Sequence, residues 1–216
     1  MGVQSTTMYL MSSTGLLERA DYAVFSDPGA EHPDTYKMLD WLLNWKENNN
    51  GIDIIVNDEL SLLKDILNGK NSLGEKFVTI PAWVDNGLGN KPTIAKRQCT
   101  GEYKIKPVIK SVRKLQGVKK HCTMKKFEMW LGISIDEASR MKESPRTRIK
   151  NRFPLIEKMM TRMDCIDYLE SNNYPIPIKS SCVFCPFQSP GYWRDIKKNY
   201  PEHWNIIKDV DSKIRD

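Results

Sequence analysis

With 216 residues, 40% of them hydrophobic, the chain can bury the core of one ordinary domain, or one domain with an appendage, but not of two full domains. No apolar run approaches the roughly eighteen residues that span a bilayer, and the start lacks a basic segment leading into an apolar stretch and a cleavage site, so a soluble, cytoplasmic protein is expected. The formal charge of +6 is uneven: nine Lys or Arg and no acidic residue lie between Tyr103 and Phe127, a block that suits a phosphate-rich partner such as tRNA or DNA, or else a solvated helix face.

The pattern predicts a helix over Ser5–Leu17, a short buried strand over Ala23–Ser26 ending in the turn Asp27-Pro28-Gly29, and an amphipathic helix over Pro33–Asn44. A β-branched strand follows over Ile52–Val56, then a helix over Leu60–Leu67, a strand over Lys76–Ile80, and a basic helix over Pro107–Leu115 stopped by Gly117. Further on, Lys126–Ile133 reads as a strand, Asp164–Ser171 as a helix and Tyr174–Pro177 as extended chain, because proline removes donors and restricts its predecessor. This alternation predicts an α/β fold with a mostly parallel, doubly wound sheet and helices on both faces, followed by a less regular C-terminal region. The boundary is set between 1–144 and 145–216, the second part packed on the first.

Cys99, Cys122, Cys165, Cys182 and Cys185 are an odd number of cysteines in a chain too large to need disulfide staples, which points to metal or redox chemistry. Gly2-Val3-Gln4-Ser5-Thr6 opens a helix, where free N–H groups and the dipole favour an anion; the alternative is a simple N-cap. Ser26 to Tyr36 lies where a strand ends and a helix begins, the place where doubly wound sheets bind ligands.

Asp27, Gly29, Pro33, Thr35 and Tyr36 resemble the D-T-G-x-x-x-P-E-T-Y motif of the phosphoadenosine phosphosulfate (PAPS) reductase family, and Gly2–Thr6 resembles the end of that superfamily's S-G-G-x-D-S pyrophosphate loop, with Gln4 in place of its Asp. Cys99 to Pro107 is similar to the C-C-x-x-x-K-x-x-P segment of iron–sulfur adenylylsulfate reductases and to the C-T-x-x-x-K-x-x-P segment of the sulfur-handling DNA phosphorothioation enzymes. Trp130–Arg140 resembles the G-x-R-x-x-E-S substrate loop, with Ser134 for its arginine and Ala138 for its serine; Cys182 to Pro186 resembles the segment that completes the cluster site.

The resemblance implies an adenine-nucleotide enzyme with a Rossmann-like fold, in which ATP or a relative, with magnesium, is held by Gly2, Gln4, Ser5, Thr6, Asp27, Gly29, Glu31, Thr35, Gly132 and Ser134. It implies cleavage at the α-phosphate to adenylylate a substrate, with Lys104, Arg113 and Arg140 neutralising negative charge. It also implies an iron–sulfur centre of the four-iron four-sulfur type, or zinc, on Cys99, Cys182 and Cys185, with Cys165 as fourth ligand or that position open. The missing loop arginine and the absence of a cysteine after Cys185 argue against ordinary PAPS reduction. That leaves sulfur transfer as the expected activity, with two alternatives: a sulfonucleotide reductase that uses Cys122 or an external thiol, and a non-catalytic nucleotide- or nucleic-acid-binding module with structural zinc. Homo-oligomer formation is left open.

Overall fold

The computed structural model describes residues 1–71, 73–75, 80–84, 93–94, 97–119 and 121–215. The strand expected at Lys76–Ile80 lies outside them except for Ile80, which is buried. The elements run α1 (Val3–Ser13), β1 (Ala23–Ser26), α2 (Pro33–Asn49), β2 (Ile54–Asn57), α3 (Leu62–Leu67), β3 (Trp83–Val84) and β4 (Thr93–Ile94). A π-helical turn over Thr100–Ile105 leads into α4 (Lys106–Leu115), followed by β5 (Phe127–Trp130), a 3-10 segment over Ile135–Arg140, β6 (Ile149–Arg152), α5 (Pro154–Glu157), α6 (Arg162–Ser171), α7 (Pro190–Asn199) and α8 (Pro201–Arg215).

The architecture is α/β, and the described strands pair in twos instead of forming one doubly wound sheet. β1 and β2 pair in parallel: Ala23 N–H donates to Asp53 O at 2.9 Å and Asp27 N–H to Asn57 O at 2.8 Å. β5 pairs with β6 in parallel, Phe127 opposite Ile149, while β3 and β4 are antiparallel.

The chain divides into two compact units, each made of three stretches: residues 1–25, 33–55 and 111–180, and residues 26–32, 56–110 and 181–216. Position 144 therefore lies inside the first unit, and the expected boundary there is replaced by an interleaved one.

The first unit is built on α1 and α6. Leu10, Leu155 and Leu169 are fully buried in its core with Val3, Met38, Leu42 and Ile52, each contributing about 1.5–3 kcal/mol over an exposed position. α6 starts where Thr161 and Asp164 cap each other, Asp164 N–H donating to Thr161 Oγ1 at 3.1 Å and Thr161 N–H to Asp164 Oδ2 at 2.7 Å.

The second unit gathers Leu62, Ile66, Tyr103, Val183, Phe184 and Val210 into its own core. Ser61 caps α3 and Ser189 caps α7 ahead of Pro190, which suits the first helical position. No helix among the described residues is long and apolar enough to cross a membrane.

Candidate functional site

In the first unit, five of the expected nucleotide residues meet: Gly2, Gln4 and Ser5 at the start of α1, and Gly132 and Ser134 in the loop after β5. Ser5 Oγ accepts from Gly2 N–H at 3.1 Å and donates to Gly2 O at 3.1 Å, so this hydroxyl serves the helix cap. Gln4 reaches the other way, its Nε2 donating to Ser134 Oγ at 3.4 Å and to Glu137 Oε2 at 3.2 Å.

Gly132 then lies so close that a Cβ on it would stand 2.8 Å from Ser5 N and 3.2 Å from Gln4 C. The loop from Gly132 to Glu137 is thereby fastened to the first turn of α1. Arg140 donates to Glu137 Oε1 at 2.5 Å, so one carboxylate holds both the guanidinium and the Gln4 amide. Glu137 stands at the glutamate of the G-x-R-x-x-E-S pattern and could have been picked out from it.

Among the described residues, two hydroxyls in this unit are buried without a hydrogen-bond partner, Thr6 Oγ1 in α1 and Thr35 Oγ1 in the first turn of α2. An unpaired buried hydroxyl costs about 1–3 kcal/mol, which makes each a standing demand for a donor or acceptor.

Cys165 belongs to the core of this same unit. It is fully buried, its carbonyl accepts from Thr7 Oγ1 at 3.1 Å, and burial pushes its thiol up to about 11. Its packing among Leu155 and Leu169 is that of a small hydrophobe. Arg113 braces the turn after α4, donating to Lys119 O at 3.0 Å and Cys122 O at 3.1 Å. Around it Lys114, Lys119, Lys125 and Lys126 are exposed.

The second unit assembles the thiol residues. Asp27 Oδ1 accepts from Gly29 N–H at 2.7 Å, and Gly29 adopts φ +72 with room for no side chain: a Cβ would stand 2.9 Å from Ser61 Oγ. This turn delivers Glu31, whose backbone bridges to Cys182 while Val183 N–H donates to Ala30 O at 2.8 Å.

The Glu31 side chain, 0% exposed, accepts from Lys104 Nζ at 2.7 Å. The Lys104 carbonyl in turn accepts from Ser26 Oγ at 3.2 Å. Burial opposes the charge on Lys104, but Glu31 outweighs it, so the ammonium titrates above its ordinary range.

Cys182 lies in the field of Glu31, Lys104, Cys185 and Cys99. Burial first and the Glu31 charge second push its thiol well up, with Lys104 pulling the other way. Cys185 N–H donates to Cys182 O at 3.0 Å, closing the C-x-x-C turn, and Tyr192 packs beside it with its hydroxyl raised by burial and the thiol charges. The Tyr192 ring lies 5.8 Å from His32, centroid to centroid.

Cys99, Cys182 and Cys185 are free thiols and partly exposed. Soft thiols beside an ammonium suit zinc or an iron–sulfur cluster in donor chemistry. Among the described residues, however, no three Cys, His, Asp or Glu side chains converge as a coordinating group.

No protein-family model matches the chain, and neither the curated proteins nor the solved structures compared with it contain a match.

Proposed function

We propose that the protein is an adenine-nucleotide-binding enzyme, similar to PAPS reductases, that cleaves ATP at the α-phosphate to adenylylate a substrate and takes part in sulfur transfer. The observation that carries this reading is the joining of the α1 first turn to the Gly132–Glu137 loop through Gln4 and the Gly132 close approach. Helix geometry leaves the first N–H groups of α1 for an anion, and Gly2, Gln4 and Ser5 are only partly buried there.

In this reading Arg140, held by Glu137, turns to the phosphates as charge builds up on them. An acceptor oxygen bonds to the α-phosphorus, the bond to the β-phosphate oxygen breaks, and pyrophosphate carries away the electron pair. The doubly wound fold of the family belongs to the same proposal, and the two parallel strand pairs are compatible with it.

The sulfur side of the reading belongs to the second unit. Cys99, Cys182 and Cys185 would hold the zinc or cluster, which when bound would present or activate sulfur. The chain's own contribution is Lys104, a partly exposed cation paired with the buried Glu31, which lowers the cost of thiolate charge at Cys182.

The exposed Lys114, Lys119, Lys125 and Lys126 support a phosphate-rich acceptor such as tRNA or DNA. Binding of either that does not weaken with salt would remove that part of the reading.

The test of the activity is anaerobic incubation with ATP, scored for pyrophosphate and AMP. Release that falls about tenfold or more in Gln4→Ala is expected, given one lost charge-assisted contact. Absence of pyrophosphate release, together with ATP affinity indifferent to Gln4→Ala, would refute it.

A further inference from the structure

We propose that Cys182 and Cys185 are a dithiol redox pair in the second unit, which closes to a disulfide by reducing a small-molecule disulfide when no metal is bound. The exchange itself does not depend on the nucleotide or the metal reading. Its effect on metal loading rests on the metal reading of the same thiols.

Cys182 and Cys185 stand at the two ends of one tight turn, closed by Cys185 N–H donating to Cys182 O at 3.0 Å. Such a turn keeps its end Cα atoms within about 7 Å, and a disulfide spans Cα separations of about 4.4–6.8 Å. Val183 and Phe184, the two central residues, are 1% and 4% exposed and belong to the core of this unit. The first cysteine is held by its bridge to Glu31 and by Val183 N–H donating to Ala30 O at 2.8 Å. The second is followed by Pro186, which restricts the backbone of its predecessor. The core therefore fixes the turn and leaves the two thiols at its ends, free and partly exposed. Of the two other thiols that act on Cys182, Cys185 does so more strongly than Cys99, so the pair that closes lies within the turn.

The exchange balances as two displacements at sulfur. Cys182 lies beside the buried Glu31 and its partner Lys104, which leaves Cys185 to meet the oxidant. The Cys185 sulfur attacks one sulfur of the oxidant, whose disulfide bond breaks, and the second oxidant sulfur leaves as a thiolate that takes up a proton. The Cys182 sulfur then attacks Cys185 in this mixed disulfide and expels the other half of the oxidant as a thiol. The cysteines give up two protons and two electrons, and the oxidant becomes two thiols. The closed disulfide removes two of the three proposed metal ligands, so the redox state of the pair decides whether the site can load.

The test takes the full chain, reduced and freed of metal with a chelator, and incubates it with oxidised glutathione before peptide mapping by mass spectrometry. The Cys182–Cys185 disulfide should exceed glutathione retained at either position by about tenfold or more, because the second displacement is intramolecular. Cys182→Ser should instead trap glutathione on Cys185. Circular dichroism checks that this variant folds; if it does not, Cys182→Ala carries the same expectation. The proposal is overturned if glutathione stays on both cysteines, if Cys182 pairs with Cys99 instead, or if neither cysteine is oxidised. Adding zinc before the oxidant separates this proposal from the metal reading. Zinc that shields both cysteines supports the effect on loading, and a disulfide that forms equally with and without zinc leaves the exchange standing and removes that effect. Zinc that binds to a chain unable to form the disulfide when zinc-free refutes the exchange and leaves the metal reading intact.

Discussion

Replacing Gly132 with alanine tests the joining of the substrate loop to α1. The backbone of Gly132 is outside the left-handed region, so the constraint is space alone. The new Cβ would stand 2.8 Å from Ser5 N, 3.0 Å from Ser5 Cα and 3.2 Å from Gln4 C, all of them backbone atoms that cannot rotate away. Loop and helix must part by several tenths of an ångström, and overpacking of this kind costs about 1–3 kcal/mol. The Gln4 amide contacts at 3.2 Å and 3.4 Å are already long and would stretch beyond bonding, adding roughly 0.5–1.5 kcal/mol for the stronger one. A total near 2–3 kcal/mol should lower the urea midpoint with no change in slope, and Trp130, two residues upstream, provides the fluorescence signal. Gly101→Ala is the control, because its Cβ meets nothing within 4 Å. If Gly132→Ala is as stable as the parent chain and binds ATP equally well, the loop does not close on α1 and the proposed phosphate site loses its basis.

Lys104→Ala removes the ammonium paired with the Glu31 carboxylate, whose side chain is 0% exposed, and should cost about 1–3 kcal/mol in urea denaturation, less than a fully buried pair because Lys104 is 39% exposed; a loss within ~0.5 kcal/mol would show that the pair contributes little. The Cys165 thiol is raised in the fold from 9.0 to about 11, so the folded state holds its proton more tightly: that contribution is complete below pH 9, lost as pH rises to 11, and amounts to roughly 2–3 kcal/mol. Cys165→Ala should flatten the alkaline fall in stability over that window, and an unchanged fall would place its origin elsewhere. Metal content after anaerobic purification should drop in Cys99→Ser, Cys182→Ser and Cys185→Ser and stay level in Cys165→Ser and Cys122→Ser; equal content in all five would dissolve the proposed ligand set.

Local signals in the sequence located most helices and β1, because caps, prolines and apolar periodicity act over a few residues. Their ends were less legible. α1 stops at Ser13, not Leu17, since Gly15 turns left-handed at φ 84, and α2 runs on to Asn49, where Asn50 takes φ 51. The π-turn before α4 has no periodicity of its own to announce it. β6, with the half-polar sequence Ile149-Lys150-Asn151-Arg152, exists through its pairing with β5, a long-range event that a local pattern does not encode.

Motif order stood in for tertiary contact at some of the candidate residues: Gln4 and Ser5 meet Ser134 and Gly132 in one unit, and Glu31, Lys104 and the Cys182 turn meet in the other. Cys165 shows where such reasoning stops: a cysteine count does not separate a ligand from a core residue, and only the packing against Leu155 and Leu169 does. The interleaving of the two units, which depends on which stretches share a core, was likewise hidden from any division at a single chain position.

The most direct measurement on the central claim is the backbone amide spectrum of the full chain titrated with ATP. The proposed nucleotide site requires saturable shifts at Gly2 to Thr6 and at Ile133 and Ser134, lost in Gln4→Ala. Shifts absent from those amides would contradict it.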